Sequence, residues 1–250
     1  MSKYIVDNIE YPSVTTVIGI LDKGDGLKQW AVDCAIDYID KNWVEGKSIL
    51  DLINESRREW KNVQTEAMNI GTEVHHLIER YIKAKMTGKG NSILRQNTHI
   101  EIENEIENGF NAFLEWEEEN IHHWIESEQT VHCNEYGYAG TLDAIAQLKN
   151  GKIYLIDFKS SKGFYDGYDM QVSAYKYGRM ERRDIQIEGI GILRLDKETG
   201  IPEWKDYTSK YDRSIMAFHR LVEFYYAQKK RRLMNNPFVY DTKMPNKTPA

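Results

Sequence analysis

Two strand-like runs joined by an Asn-Gly pair constrain the fold of this chain more than any other feature. The segment GTLDAIAQLKNGKIYLIDFKSSK contains this pair, Asn150-Gly151, between short runs rich in apolar and β-branched residues. An Asn-Gly pair in this position is the strongest short-range indication of a β-hairpin. The same segment carries Asp143, Asp157 and Lys159, so the geometry of the hairpin decides whether these side chains can meet.

Two turn geometries predict different positions for the two aspartates. A two-residue Asn150-Gly151 turn places Asp143 and Asp157 on opposite faces of the sheet, unless a bulge shifts the pairing. A three-residue turn, with Gly151 in the left-handed conformation, places Asp143 directly opposite Asp157 on one face. Directly opposed residues have Cβ atoms about 4.5–5.5 Å apart. Two carboxylates at that distance repel each other unless a cation lies between them.

The three-residue turn gathers two acids and a lysine on one surface, because Lys159 follows Asp157 by two residues and projects from the same face. An isolated Asp-x-Lys is uninformative, since average residue usage produces about one by chance in a chain of this size. Here the Asp-x-Lys sequence is informative, because Asp143 is opposed to it and because Asp157 belongs to the apolar strand IYLIDF. An unpaired carboxylate is costly to bury in such a strand. From the hairpin alone, a metal site and a structural Asp–Lys ion pair both stay open.

The rest of the chain changes pattern near its middle. Three stretches in the first half repeat apolar residues at steps of three and four, which indicates helices. Short runs of β-branched and aromatic residues follow and indicate strands, with one helix at YDMQVSAYKYGRM and a long final helix. We therefore predict an α/β fold in a single domain over residues 1–250. We expect residues 1–125 to be mainly helical, and residues 126–250 to form the sheet core and the C-terminal helix.

The composition limits the classes of function. With 33 Lys and Arg against 39 Asp and Glu, the net charge of −6 does not predict DNA binding through bulk charge. Bound divalent cations, or a basic cluster such as residues 229–232, can supply positive charge locally, although that cluster fits a cationic helix end better than a phosphate contact. Two cysteines cannot build a four-cysteine zinc or iron–sulfur site. We predict a reducing, cytoplasmic setting and, without a long apolar run, no membrane association.

Six positions complete a recognisable pattern. They are Asp143, Asp157, Lys159, Gln171 and Tyr175, with His75 upstream in the helical setting G-x-x-x-H. The order and spacing of these residues resemble those of the motif of the PD-(D/E)xK nuclease superfamily, and within it of the RecB-like branch that includes phage exonucleases. The opening YPSVTTVIG is also similar to a Pro-Ser-Val-Thr stretch in phage exonucleases and mitochondrial genome maintenance exonucleases. Several members carry four cysteines for an iron–sulfur cluster, so the resemblance here implies none.

The resemblance implies a restriction-endonuclease-like core, with a mixed central β-sheet flanked by helices and a helical N-terminal layer. It implies Mg²⁺ or Mn²⁺, ions that favour carboxylate oxygens. Lys159 would orient or activate the attacking water and stabilise charge on the phosphate. Without the resemblance, the sequence favours a core histidine at His75. The metal ligands implied are His75, Asp143, Asp157 and the backbone carbonyl of Phe158, and Glu128 on the preceding strand is an additional candidate.

The candidate contacts to nucleic acid come from three places in the chain. Gln171 and Tyr175 share one helical face and would support Lys159 or contact the DNA backbone. Ser160 fits the small hydroxyl position that follows the lysine in this family. Ser13 and Thr15 either cap a helix or hold a phosphate at its start.

We predict a metal-dependent exonuclease that acts on single-stranded DNA ends in phage-type recombination or repair. Its partners would be DNA with a free end and phage recombination or replication proteins. Three alternatives stay open, and one of them is an unrelated metal-dependent hydrolase that ignores DNA and cleaves a small phosphoester. A double-strand-specific phage recombination exonuclease would share every catalytic residue, whereas a non-catalytic DNA-binding protein on the same fold would not need all of them.

Overall fold

The computed structural model describes residues 3–21, 24–88, 104–182 and 184–234. The chain divides into two compact units, a smaller one formed by Leu21–Glu73 and a larger one formed by Met1–Ile20 with Val74–Ala250. The assignment of one domain to residues 1–250 stays a prediction. Among the residues described, no helix combines the length and the apolar character needed to cross a membrane.

The chain begins with a small antiparallel hairpin in the larger unit, formed by Lys3–Val6 (β1) and Ile9–Pro12 (β2). The prediction of a mainly helical N-terminal part missed this hairpin. A short helix, Val14–Ile18 (α1), follows it. The hairpin is fixed to the rest of the unit, because the hydroxyls of Tyr4 and Thr141 lie 3.0 Å apart.

The smaller unit is helical, as predicted. It contains Gly24–Asn42 (α2), Ile49–Ser56 (α3) and the first half of Glu59–Met86 (α4). The Ser48 hydroxyl accepts the N–H of Asp51 and caps α3. The second half of α4 belongs to the larger unit and carries His75.

The larger unit is built on one five-stranded sheet and its helices. Its elements are Asn104–Asn120 (α5), Ile121–Cys133 (β3), Tyr138–Leu148 (β4), Ile153–Lys159 (β5), Tyr168–Met180 (α6), Gly189–Leu195 (β6), Pro202–Asp206 (β7), a 3-10 turn at Thr208–Lys210 and Tyr211–Met234 (α7). The strand order is β3-β4-β5-β6-β7. Only β5 and β6 are parallel, and α6 provides the crossover that a parallel pair requires. The first strand of this five-stranded sheet, β3, starts at Ile121, before the predicted boundary at residue 126.

Helices cover both faces of the sheet. One core cluster combines residues of α1, α6 and α7 with Ile145 and Leu155, and the other combines α4 and α5 with Ala144 and Ile156. Since side chains alternate along a strand, Asp157 lies on the same face as Leu155, which is the face shared with α6. The predicted α/β fold is confirmed: a mixed central sheet flanked by helices, which fits a restriction-endonuclease-like core.

Candidate active site

The β4–β5 turn has the three-residue form. The N–H of Leu148 bonds to the carbonyl of Lys152 at 2.9 Å, and Gly151 has a φ of +88°. A left-handed φ is accessible to glycine without a steric penalty, which explains the residue at this position. The register ends with Ala144 paired with Ile156, which is the pairing that the three-residue turn predicts. That both carboxylates share one face stays a prediction.

Asp143 lies at the centre of the site. Its Oδ2 accepts the backbone N–H of Phe158 at 2.7 Å and lies 3.6 Å from Nδ1 of His75. The side chain of Asp143 is 13% exposed and that of His75 is 28% exposed, so both remain accessible from solvent. The carboxylate thus connects α4 to the end of β5.

His75 occupies a position suited to a metal ligand. Burial lowers the pKa of His75, while Asp143 and a backbone hydrogen bond to Phe158 oppose this shift. The lowered pKa favours the neutral imidazole, which is the form that binds metal ions. His76, the next residue along α4, is exposed, as expected for adjacent helical positions.

Glu128 joins this group from β3. One potential ligand atom from each of His75, Glu128 and Asp143 lies within 4.8 Å of the others. The β3–β4 register pairs Ser127 with Ala144 and Gln129 with Leu142, so Glu128 falls opposite Asp143. Glu128, predicted as an additional ligand from its place on the strand before the hairpin, is thereby adjacent to two others.

The backbone of Glu128 is strained. Its φ is +52°, a left-handed value that non-glycine residues seldom adopt in a strand and that costs of order 1–3 kcal/mol. Burial raises the pKa of Glu128 to about 7, and the nearby carboxylates of Asp143 and Glu79 add to the shift. A strained residue that faces another acid is typical of a functional position, because packing alone would select a different side chain.

Asp157 and Lys159 form the second half of the site. Asp157 is 1% exposed, and its Oδ2 forms an ion pair with Nζ of Lys159. Burial raises the pKa of Asp157, an effect that Lys159 opposes and Asp143 reinforces. Burial disfavours the charged form of Lys159, but Asp157 and Asp143 outweigh it and raise its pKa. The lysine is therefore a cation held beside two acids.

Gln171 reaches Asp157 rather than Lys159. Its Nε2 donates to Oδ1 of Asp157 at 3.1 Å and to the hydroxyl oxygen of Tyr175 at 3.2 Å. Both side chains come from the same face of α6, as their spacing predicts. Gln171 is 8% exposed and Tyr175 is 5% exposed, so the inner surface of α6 orients Asp157.

A glycine on β4 allows this helix to approach the sheet. A Cβ at Gly140 would lie 2.6 Å from Cε1 of Tyr175, closer than carbon atoms can pack. Any larger residue at this position would displace the Tyr175 ring and the Gln171 amide that depends on it. Gly140 therefore belongs to the support of the site, and the sequence alone did not identify it.

Tyr168 was also missed by the sequence analysis. Nζ of Lys159 lies 5.3 Å from the centre of the Tyr168 ring, within the range of a cation–π contact. Tyr168 precedes Gln171 by three residues on α6, so helical periodicity places both on one face. That spacing could have identified Tyr168 once Gln171 was singled out.

The three hydroxyl residues predicted to contact DNA lie at different places. Ser160 directly follows β5 and is half-buried. Ser13 caps α1, because its Oγ accepts the N–H of Thr16 at 3.0 Å and also bonds to the hydroxyls of Thr15 and Thr16. Thr15 is exposed, whereas Ser13 is 4% exposed. Of the two interpretations of Ser13, this geometry supports the helix cap.

The donor atoms fit a hard divalent cation. An imidazole nitrogen and two carboxylates converge, and burial, reinforced by Asp143, raises the pKa of one of these carboxylates, Glu128, to about 7. Asp157, on the adjacent strand β5, is bonded to Gln171 and Lys159. In the part of the chain that the structure describes, His75, Glu128 and Asp143 are the one group of three side chains with this convergence.

Comparisons with known proteins return distant likenesses only. No protein-family model matches the chain, and no curated protein matches it. A solved structure of a proposed exonuclease from Eubacterium rectale covers 81% of this chain and 85% of its own, with 11% identity and a TM-score of 0.35. The structure of SSO0001 covers 79% of this chain and 84% of its own, with 14% identity and a TM-score of 0.28. At these TM-scores the likeness does not extend to function.

Proposed function

We propose that this chain is a metal-dependent DNA exonuclease that hydrolyses phosphodiester bonds at single-stranded ends. The observation that carries the proposal is one surface shared by Asp143, Asp157 and Lys159, with His75 and Glu128 beside it. A binding module has no need of two opposed acids, an adjacent lysine and a metal-type donor set. Phosphodiester hydrolysis uses all of them.

The proposed ion is Mg²⁺ or Mn²⁺. Asp143 would hold it together with His75 and Glu128, while Asp157 and the backbone carbonyl of Phe158 remain candidate ligands from the end of β5. Carboxylate oxygens suit both ions, and the imidazole favours Mn²⁺. When bound, such an ion polarises the phosphate and lowers the pKa of a coordinated water.

Lys159 acts on charge and on water in this proposal. Its raised pKa keeps Nζ protonated, so the ammonium cannot remove a proton from water. It can donate hydrogen bonds to the attacking water and to a phosphate oxygen on which negative charge develops. The ion pair with Asp157 and the ring of Tyr168 hold Nζ in place before substrate arrives.

Gln171 and Tyr175 serve as positioning residues. The Gln171 amide fixes one oxygen of Asp157, which leaves the other oxygen directed to Lys159. Burial raises the pKa of Tyr175 well above its usual value, so the phenol stays neutral beside the acids. The α6 helix thereby sets the orientation of the two residues at the end of β5.

Action on ends, preference for single strands and a role in phage recombination or repair rest on the resemblance to the RecB-like branch. The proposed partners are DNA with a free end and phage recombination or replication proteins. These points extend beyond the geometry of the site, so the experiment must test them directly.

The decisive experiment is a cleavage assay with end-labelled DNA. Single-stranded and duplex substrates, each linear and circular, are incubated with Mg²⁺ or Mn²⁺. We expect cleavage of linear single strands and no cleavage of circles. Preferential cleavage of blunt duplexes would favour the double-strand-specific alternative, and cleavage of circles would contradict an exonuclease. DNA of every form left uncut would favour the non-catalytic alternative.

Substitutions in the site separate chemistry from metal binding. Lys159→Ala should retain Mn²⁺ affinity and reduce cleavage by about 10²–10³-fold, the range for loss of one charge-stabilising donor. Asp157→Asn should weaken both Mn²⁺ binding and cleavage. Isothermal titration with Mn²⁺ measures the affinity, with Lys162→Ala as a control because that lysine is 82% exposed. An unchanged Mn²⁺ affinity in Asp157→Asn would refute its assignment as a ligand.

A further inference from the structure

The connection from β5 to α6 presents two tyrosines beside Lys159. Tyr165 is 56% exposed, and its ring lies 5.9 Å from that of Tyr168 in an edge-to-face arrangement. The Tyr168 ring in turn lies 5.3 Å from Nζ of Lys159. The three side chains form a continuous series from solvent to the reactive centre.

We propose that Tyr165 and Tyr168 form a stacking site for an unpaired base of a DNA strand whose phosphate lies at Lys159. The inference rests on the proposed nuclease function and adds a binding site and a substrate class to it. Tyr165 contacts the base directly, and Tyr168 supports both Tyr165 and Lys159.

Tyr168 is held rigidly enough to act as a support. Its hydroxyl donates to Oγ of Ser161 at 3.0 Å, and Ser161 Oγ donates to the carbonyl of Gly163 at 2.9 Å. Arg194 bonds to the Ser161 carbonyl at 3.2 Å and fixes the same turn from β6. The ring is thus oriented before any ligand binds, which reduces the entropy lost on binding.

Tyr165 differs from an ordinary surface tyrosine in its neighbours. Edge-to-face contact with Tyr168 fixes its orientation, while more than half of its surface stays open to solvent. Aromatic side chains next to a cation that contacts the backbone are the combination that single-strand-binding proteins use. Tyr165 and Lys159 supply the two parts of that combination on one connection between β5 and α6.

The same arrangement selects an unpaired base. A phosphate paired with Lys159 brings its nucleotide close to the two rings, because Lys159 already contacts one of them. Inside a duplex, each base is stacked on both faces by its neighbours. Away from the outer face of a terminal pair, a tyrosine can therefore stack only on a base that has left this stack or that never belonged to one.

Equilibrium binding tests the proposal without cleavage. The full chain is titrated into a short fluorescent single strand with Ca²⁺ as the divalent ion, and an intact strand is verified by electrophoresis. Tyr165→Ala should weaken binding by about 5- to 150-fold, which corresponds to one lost base stack. Tyr165→Phe keeps the ring and should retain wild-type affinity. Phe224→Ala, on α7, is the matched control because Phe224 is 52% exposed.

Changes to the DNA make the test specific. When the terminal nucleotides are abasic, the wild-type protein should lose affinity and Tyr165→Ala should lose little more, since the ring and the base form one interaction. Affinity for a blunt duplex should not change in Tyr165→Ala.

Three other outcomes would each contradict one part of the proposal. Wild-type affinity of Tyr165→Ala for single strands would overturn the stacking site and leave the proposed nuclease function intact. An equal loss of affinity for blunt duplexes would overturn the assignment to an unpaired base. A wild-type protein that neither binds nor cleaves any DNA would instead overturn the proposed function.

Discussion

Glu128, Asp143 and Asp157 lie on the neighbouring strands β3, β4 and β5, and the repulsion between their carboxylates is offset in different ways. Asp157 pairs with Lys159, and Asp143 accepts the Phe158 N–H. Among the residues that the structure describes, Glu128 has no comparable partner, and burial raises its pKa to about 7. At the scale of the residue, the free-energy cost of burying acids in the site therefore falls mainly on Glu128, whose backbone is also strained.

Glu128→Gln should stabilise the metal-free protein at pH 8 and weaken its binding of Mn²⁺. The folded-state pKa lies above the unfolded value, so the wild-type protein loses stability as the pH rises from about 4.5 to about 7. Glutamine stays neutral at every pH, so the stability difference in favour of Glu128→Gln grows as the pH rises from about 4.5 to about 7. We expect a gain of about 1 kcal/mol at pH 8, discounted for solvent screening.

Urea unfolding of both proteins at pH 5 and pH 8, without divalent ions, measures this difference. Thermal shifts on addition of Mn²⁺ provide the second measurement, because an ion that binds only the folded state stabilises it. Equal shifts in the wild-type protein and in Glu128→Gln would exclude Glu128 as a ligand.

At the scale of the element, the site depends on how closely α6 packs on β4. Val172 and Ala174 are fully buried on α6, and Gly140 leaves room for the ring of Tyr175. The C-terminal end of α6 is anchored by Arg179, which is buried and bonds to Glu126 on β3 at 2.6 Å. A helix fixed at both places holds the Gln171 amide against Asp157.

Gly140→Ala should destabilise the protein and reduce cleavage together. The added methyl would overlap the Tyr175 ring, and overpacking of this kind costs about 1–3 kcal/mol. Gly163→Ala is the control, because no atom lies within 4 Å of its Cβ position and its φ is ordinary. Denaturant unfolding and the single-strand cleavage assay measure the two effects. Full stability and full activity of Gly140→Ala would refute the proposed role of this packing contact.

At the scale of the whole molecule, net charge opposes the proposed substrate. The chain carries a charge of −6, and DNA is a polyanion. The described site itself is acidic, with Glu128, Asp143 and Asp157 around a single lysine. Attraction for a phosphate must therefore come from a bound cation together with Lys159.

Removal of divalent ions should abolish DNA binding as well as cleavage. We expect an affinity for single-stranded DNA at least about tenfold lower in EDTA, since repulsion by uncompensated carboxylates is no longer screened. Addition of Mn²⁺ or Ca²⁺ should restore binding, and Mn²⁺ should also restore cleavage. Fluorescence anisotropy at constant ionic strength measures the affinity. Binding of equal strength in EDTA would place the main DNA contacts outside this site.

The amino-acid sequence by itself determined the features that depend on local periodicity. Asn150-Gly151 with a left-handed Gly151 fixes the hairpin register, which pairs Ala144 with Ile156. Helical spacing places Gln171 on the same face as Tyr175. These predictions succeed because neighbours in the chain set their own geometry through a turn, a strand or a helix.

Tertiary structure alone decided the contacts between residues far apart in the chain. It joined His75 of α4 to Glu128 and Asp143, and gave Glu128 its left-handed backbone. It directed Gln171 to Asp157 rather than Lys159. Periodicity assigns a residue to a face, but the packing of helices against the sheet determines which side chain that face meets. For this reason most residues of the site could be predicted from the sequence, whereas their contacts with one another could not.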